Sequence, residues 1–226
     1  MNLAESMKHV LKNKSQMIFS ALVKEDFKVI LKGFAGDMIP GKIFNKPKKK
    51  FSLKQSFSSI KTSVRDTTFL IKEIPHRLNN GFKIFHDDLM AELDQLPDQM
   101  QKTKFCMKVL AGLSKFALSS AYDVGLGDKK LLGYGKAKKY LTHAVASRLM
   151  FRTVQAFIIR FIQEVEKEIT DPQELKNLQN FRNIILDDSG NAIDKFFEGV
   201  TDPDDRAFAI VENFKHYILT GELEHG

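Results

Sequence analysis

Tryptophan is missing from this 226-residue chain, and cysteine occurs once. With Cys106 alone no disulfide can close within the chain, and no neighbouring His is placed to draw off its proton, so a buried, inert thiol is expected. No stretch alternates apolar and polar residues with the two-residue period of a half-buried strand. No run of about 18 apolar residues is free of charge either: Lys108 and Lys115 interrupt one candidate, and Arg148, Arg152 and Arg160 the other. The opening MNLAESMKHVLKNKSQMIF lacks the uninterrupted apolar centre of a secretion signal. These absences point to a strand-free, cytoplasmic protein that meets a membrane, if at all, from its surface.

Catalytic signatures are equally sparse. His86-Asp87-Asp88 and the Asp88/Glu92 pair at i, i+4 have metal-ligand chemistry, but no HExxH pattern accompanies them, and a solvated acidic helix face is expected instead. Residues 123–135, DVGLGDKKLLGYG, hold Gly125, Gly127, Gly133 and Gly135 ahead of Lys136. A Walker A loop or a dinucleotide fingerprint would each need glycine where Lys130 stands, so neither template fits. No catalytic residues, cofactor or metal are assigned, and an enzyme is not expected.

What the chain has is apolar mass, phenylalanine and lysine. Apolar residues make up 43%, with nineteen Phe against four Tyr. Phe lacks a polar handle, so such a set favours a dry core or lipid contact. Apolar residues recur at three- and four-residue intervals over 3–35, with a weak point near Ser15, over 52–74 and again over 77–96, with Pro75 between the last two. Residues 100–122 read as another helix, whose small residues Ala111, Gly112, Ser114 and Ala117 would let a neighbour come close. Residues 136–169 hold no Pro or Gly and are apolar on almost every side, which suggests a rod enclosed by other helices. Thr170-Asp171-Pro172 and Thr201-Asp202-Pro203 are helix-start signals, each a capping side chain ahead of Pro at the first helical position. Gly221 is a stop. Short helices are therefore expected at 172–186, 191–198 and 203–219. The expected fold is all-α: a single domain over 1–226, an irregular bundle of seven to nine helices around the long helix at 136–169.

The net charge of +7 is unevenly spread. Residues 1–66 and 101–160 are strongly basic, and residues 67–100 and 161–226 are acidic. Within 36–51, expected to be a loop, Lys46, Lys48, Lys49 and Lys50 lie between Phe44 and Phe51. Clustered Lys beside apolar rings suits an anionic bilayer surface, the charges meeting headgroups and the rings dipping beneath them. Lys129, Lys130, Lys136, Lys138 and Lys139 flank the Gly-rich connection, where free N–H groups at a helix start would add to their pull on an anion. Arg148 and Arg152 stand four apart on the apolar rod and need carboxylates, with the acidic final third as the expected source, or the headgroup of a bound lipid. The leading expectation is a lipid- or membrane-surface-binding protein, with an apolar cavity beside the long helix for a fatty-acid-like ligand. Nucleic acid gripped by the same lysines and a protein-interaction scaffold are the alternatives.

Overall fold

The computed structural model describes the backbone of residues 1–37, 53–125, 134–186 and 206–223, and the side chains of 1–29, 73–118, 149–186 and 206–223. Six helices make up the described chain: α1 (Leu3–Asp37), α2 (Leu53–Gln95), α3 (Gln99–Gly125), α4 (Tyr134–Glu166), α5 (Pro172–Ile185) and α6 (Arg206–Thr220). The all-α class is therefore correct, and no strand occurs among the described residues. The described residues do not confirm the count of seven to nine: α1 has no break at its weak point, and the two segments expected on either side of Pro75 form one helix. The expected helix at 191–198 lies outside the described residues.

Helix α1 runs through Ser15 without a break. The buried Ser15 hydroxyl donates to the Leu11 carbonyl 2.5 Å away, one turn back, so it is satisfied within the helix. Helix α2 likewise runs through Pro75. Proline removes one ladder hydrogen bond and crowds the preceding turn, at a cost of about 3 kcal/mol. Burial of Ile74 just before it, and of Leu78, Phe82, Phe85, Leu89 and Leu93 along the following turns, offsets it. Tertiary packing overrides the local breaker.

Side-chain pairs set the directions of the helices. Lys8 meets Asp94, Gln16 meets His86 and Ser20 meets Asn79, so α1 and α2 run in opposite senses. Lys14 meets Glu164 and Asp26 meets Arg152, which makes α4 antiparallel to α1 as well. Arg206 meets Glu92 while Gly81 lies against Phe214 and Ile218, so α6 descends along α2. With α3 packed against both α6 and α4, five helices close a ring in the order α1, α2, α6, α3, α4, and α5 lies across α3 and α4.

Every helix of the ring sends phenylalanine to its middle. Phe19 of α1 stacks on Phe82 of α2 with centroids 4.0 Å apart and planes 6° from parallel. Phe157 of α4 meets both rings edge-on, at 5.6 and 4.9 Å. Phe214 of α6 contacts Phe19, Phe82, Phe85 and Phe116. The middle of the fold is thus a ring cluster, and the long helix is one stave of the wall rather than an enclosed rod. Leu149, Val154, Phe157, Ile158, Phe161, Ile162 and Val165 of α4 are buried, but Arg152 and Arg160 face outward.

Glycine and capping side chains finish the joints. A Cβ on Gly81 would come within 3.0 Å of Tyr217 Cδ1, and one on Gly112 within 3.3 Å of Val211 Cγ2. Gly112 therefore admits α6, while α3 also packs along α4. Gly221 ends α6 at a φ of +82°, with its N–H on the Tyr217 carbonyl at 2.8 Å. Asp171 Oδ1 accepts from the N–H groups of Gln173 and Glu174 at 2.7 and 3.1 Å, with Pro172 in the first turn of α5, as the sequence indicates. Glu174 itself reaches across to accept from the Leu3 N–H at 2.8 Å, so it caps α1 as well as complementing its own helix.

Phe82 shares contacts with Phe19, Phe85, Phe157 and Phe214, so Phe82→Ala should remove about 3–5 kcal/mol of unfolding free energy in a urea titration. A loss below about 1 kcal/mol would show that the ring cluster is not the core's keystone.

A charged seam ties α1 to the end of α4. Lys14 bridges Glu164 and Glu168, each at 3.0 Å, and His9 Nδ1 lies 2.6 Å from Glu168. The Lys167 and Lys14 ammonium groups hold Glu164 below the ordinary carboxylate range. For Glu168, burial pushes upward but Lys14 and His9 together outweigh it, and the net direction is down. Contacts with Glu168 and Glu164 raise Lys14 above the ordinary lysine range. Depressed carboxylates stabilise the fold fully above their unfolded-chain pKa and lose that contribution as pH falls through the lower folded values. Lys14 stays charged in that window; its own contribution is lost only as pH rises past the ordinary lysine range. Melting temperature should therefore drop as pH falls below about 4.5, the ordinary glutamate value, and Lys14→Met should flatten that slope. An unchanged slope in Lys14→Met would remove the seam as the acid-sensitive element.

Candidate functional site

The antiparallel registers gather particular helix ends. Because residue 20 of α1 lies beside residue 79 of α2, and residue 26 beside residue 152 of α4, the C-terminal part of α1 shares one end of the bundle with the N-terminal parts of α2 and α4. The C-terminal turns of α3 reach the same end, since α3 packs along α4 and is joined to it there. Within residues 24–37, 53–72, 115–125 and 134–152 the sequence has thirteen Lys and Arg against five Asp and Glu. The remaining described residues balance, with fourteen of each sign. Among the described residues, folding thus gathers charge blocks that alternate along the chain into one basic end, with the rest in balance.

Two helices start at this end, and neither α2 nor α4 has an acidic residue in its first turn. Lys54 occupies the first turn of α2, and Lys136, Lys138 and Lys139 the first two turns of α4. Lysine at a helix start opposes the positive end of the macrodipole, so an anion placed there would relieve both. On α1, Lys24 and Lys28 are exposed, as is Val29.

The expected site residues are distributed as follows. Phe44, Lys46, Lys48, Lys49, Lys50, Phe51, Lys129 and Lys130 lie outside the described residues. Lys136, Lys138, Lys139 and Arg148 lie in α4, whose backbone is described at those positions. Arg152 is described in full: its Nε and Nη2 donate to Asp26 Oδ1, both at 3.3 Å. Asp26 Oδ2 accepts from the buried Thr153 hydroxyl, also at 3.3 Å, and Arg160 reaches Glu25 at 3.3 Å. The carboxylates that meet these arginines come from α1 and not from the acidic final third, because α1 lies antiparallel along α4.

The apolar cavity lined by Leu11, Phe85, Leu89, Cys106, Val109, Leu110, Leu113, Phe157 and Phe161 has a volume of about 10 Å³. That is room for about one water, whereas ligand pockets run to about 300–1,000 Å³. It does not admit an acyl chain. Burial pushes the Cys106 thiol up to about 12, which keeps it protonated and unreactive.

His86 is engaged by Gln16 and Asp87 through Nδ1 and by the Leu11 carbonyl through Nε2. Glu73 and His76 have an E-x-x-H spacing, yet Glu73 accepts from Arg77 and His76 meets Asn80. Asp88 is pushed up by burial and by Asp87 and Glu92, consistent with an acidic face crowded by its own charges. Among the described residues no three His, Cys, Asp or Glu side chains are grouped to hold a metal, and no helix is long and apolar enough to cross a membrane.

No protein-family model, curated protein or solved structure matches this chain.

The Asp26 cluster yields a stability test. Asp26→Ala orphans a buried hydroxyl and should cost about 1–3 kcal/mol in chemical denaturation. Arg152→Ala, with a side chain 45% exposed, should cost less than about 1 kcal/mol. The reverse order would mean that Arg152 holds the seam through contacts other than Asp26.

Proposed function

We propose that this protein binds anionic membrane surfaces peripherally, through the basic end of the bundle. The observation that supports this reading most directly is the gathering of the lysine-bearing parts of α1, α2 and α4 at one end while the rest of the described chain is charge-balanced. The sequence joining α1 to α2 adds Lys42, Lys46, Lys48, Lys49 and Lys50 with Phe44 and Phe51, the residue types that pair headgroup attraction with shallow ring insertion. Among the described residues the cavity beside α4 is too small for a lipid tail, which favours surface attachment over uptake of a ligand there.

Sedimentation with vesicles tests the proposal. Vesicles containing phosphatidylserine should carry the protein down at low salt, neutral phosphatidylcholine vesicles should not, and rising salt should release it. Each lysine near such a surface contributes about 1 kcal/mol, so replacing Lys136, Lys138 and Lys139 by Gln should weaken partitioning roughly a hundredfold. Protein left in the supernatant at low salt, or held by duplex DNA with a steep salt dependence while ignoring vesicles, would overturn it.

A further inference from the structure

From the distribution of charge along the bundle we infer how the protein sits on a bilayer: it docks end-on, with the ring of helices standing up from the membrane. The inference rests on the membrane-surface reading above and adds an orientation to it.

Three observations carry it. Helix α1 has 35 residues, about 52 Å at the usual rise, and it spans the bundle from a charge-balanced end to a basic one. That length is several times the Debye length of about 8 Å at physiological ionic strength, so the two ends experience a charged surface independently. Away from the basic end the described residues carry fourteen charges of each sign, and several cations there meet anions directly. Lys8 meets Asp94, Lys14 meets Glu164 and Glu168, and Arg206 meets Glu92. Among the described residues little net charge remains there to draw a long side of the bundle down onto anionic headgroups. At the other end Lys24 and Lys28 of α1 share their level with the α4 segment around residue 152, and the lysines of its first turns lie further out along the same direction. Attraction confined to one end of an elongated ring turns that end toward the surface. A side-on pose would require a cationic stripe running the whole length of the ring.

Exposed apolar residues provide a ruler along this axis. Val29 is 50% exposed near the basic end of α1, and Met17 is 70% exposed farther back on the same helix. Met100 is 64% exposed at the start of α3, at the opposite end of the bundle. Val29 and Met17 are separated by about 18 Å along the helix. Three full-length variants, Val29→Cys, Met17→Cys and Met100→Cys, would each carry one fluorophore, and the buried native Cys106 should stay unlabelled. Each would be mixed with phosphatidylserine-containing vesicles that hold spin-labelled lipid, with sedimentation confirming that the variant is bound. End-on docking predicts loss of fluorescence at Val29, less at Met17 and none at Met100. Equal quenching at all three, or the reverse order, would overturn the orientation while leaving membrane binding intact. Failure to sediment would instead overturn the membrane reading on which it rests.

Discussion

Stacking of Phe19 on Phe82, flanked by Phe157 and Phe214, is the contact on which the rest of the fold depends. Each ring comes from a different helix, so the cluster forms only when α1, α2, α4 and α6 have all arrived. A buried Phe removes on the order of 150–250 Å² from water, and favourable ring geometry adds about 0.5–1.5 kcal/mol per pair. None of these rings has a polar atom to satisfy, which lets the middle of the ring be dry. The same cluster explains why Pro75 and Ser15 do not interrupt their helices. Breaking either helix would pull Phe19 or Phe82 out of register with its partner.

The polar contacts do a different job. Exposed ion pairs contribute little individually, yet their positions select one register among several that apolar side chains would tolerate. The Lys8–Asp94 pair, the Lys14–Glu164/Glu168 bridge and the Arg152–Asp26–Thr153 cluster place α1 against α2 and α4 without ambiguity. Glu174 shows how such contacts serve two elements: it begins one helix and caps another that starts 171 residues earlier in the chain. Gly81 and Gly112 complete the arrangement by leaving room for α6 where any side chain would press on Tyr217 or Val211.

The proposed membrane attachment rests on what those registers bring together. A bundle whose described charges balance except at one end has a preferred pole, and long-range attraction to an anionic surface would act on that pole first. Phenylalanine has two settings in such a protein. In the described core it is packing material, and beside the lysines of 42–50 the same side chain has the size and polarity to enter the region just below lipid headgroups.

Periodicity, caps and breakers made much of the fold legible in advance. The helical class, the start of α5 at Asp171-Pro172 and the stop at Gly221 all follow from local backbone chemistry, which acts over a few residues and can be read from them. The burial of Cys106 and the direction of the apolar faces were legible for the same reason. Continuity through Pro75, the replacement of an enclosed rod by a ring around Phe19 and Phe82, and the pairing of Arg152 with Asp26 were not. Each depends on which helix lies beside which, and side chains 126 residues apart leave no local trace of their meeting. The alternation of charged blocks belongs to the sequence by itself; that two of them share one end of the bundle was decided by antiparallel packing, because only the register of α1 against α2 and α4 determines which lysines become neighbours.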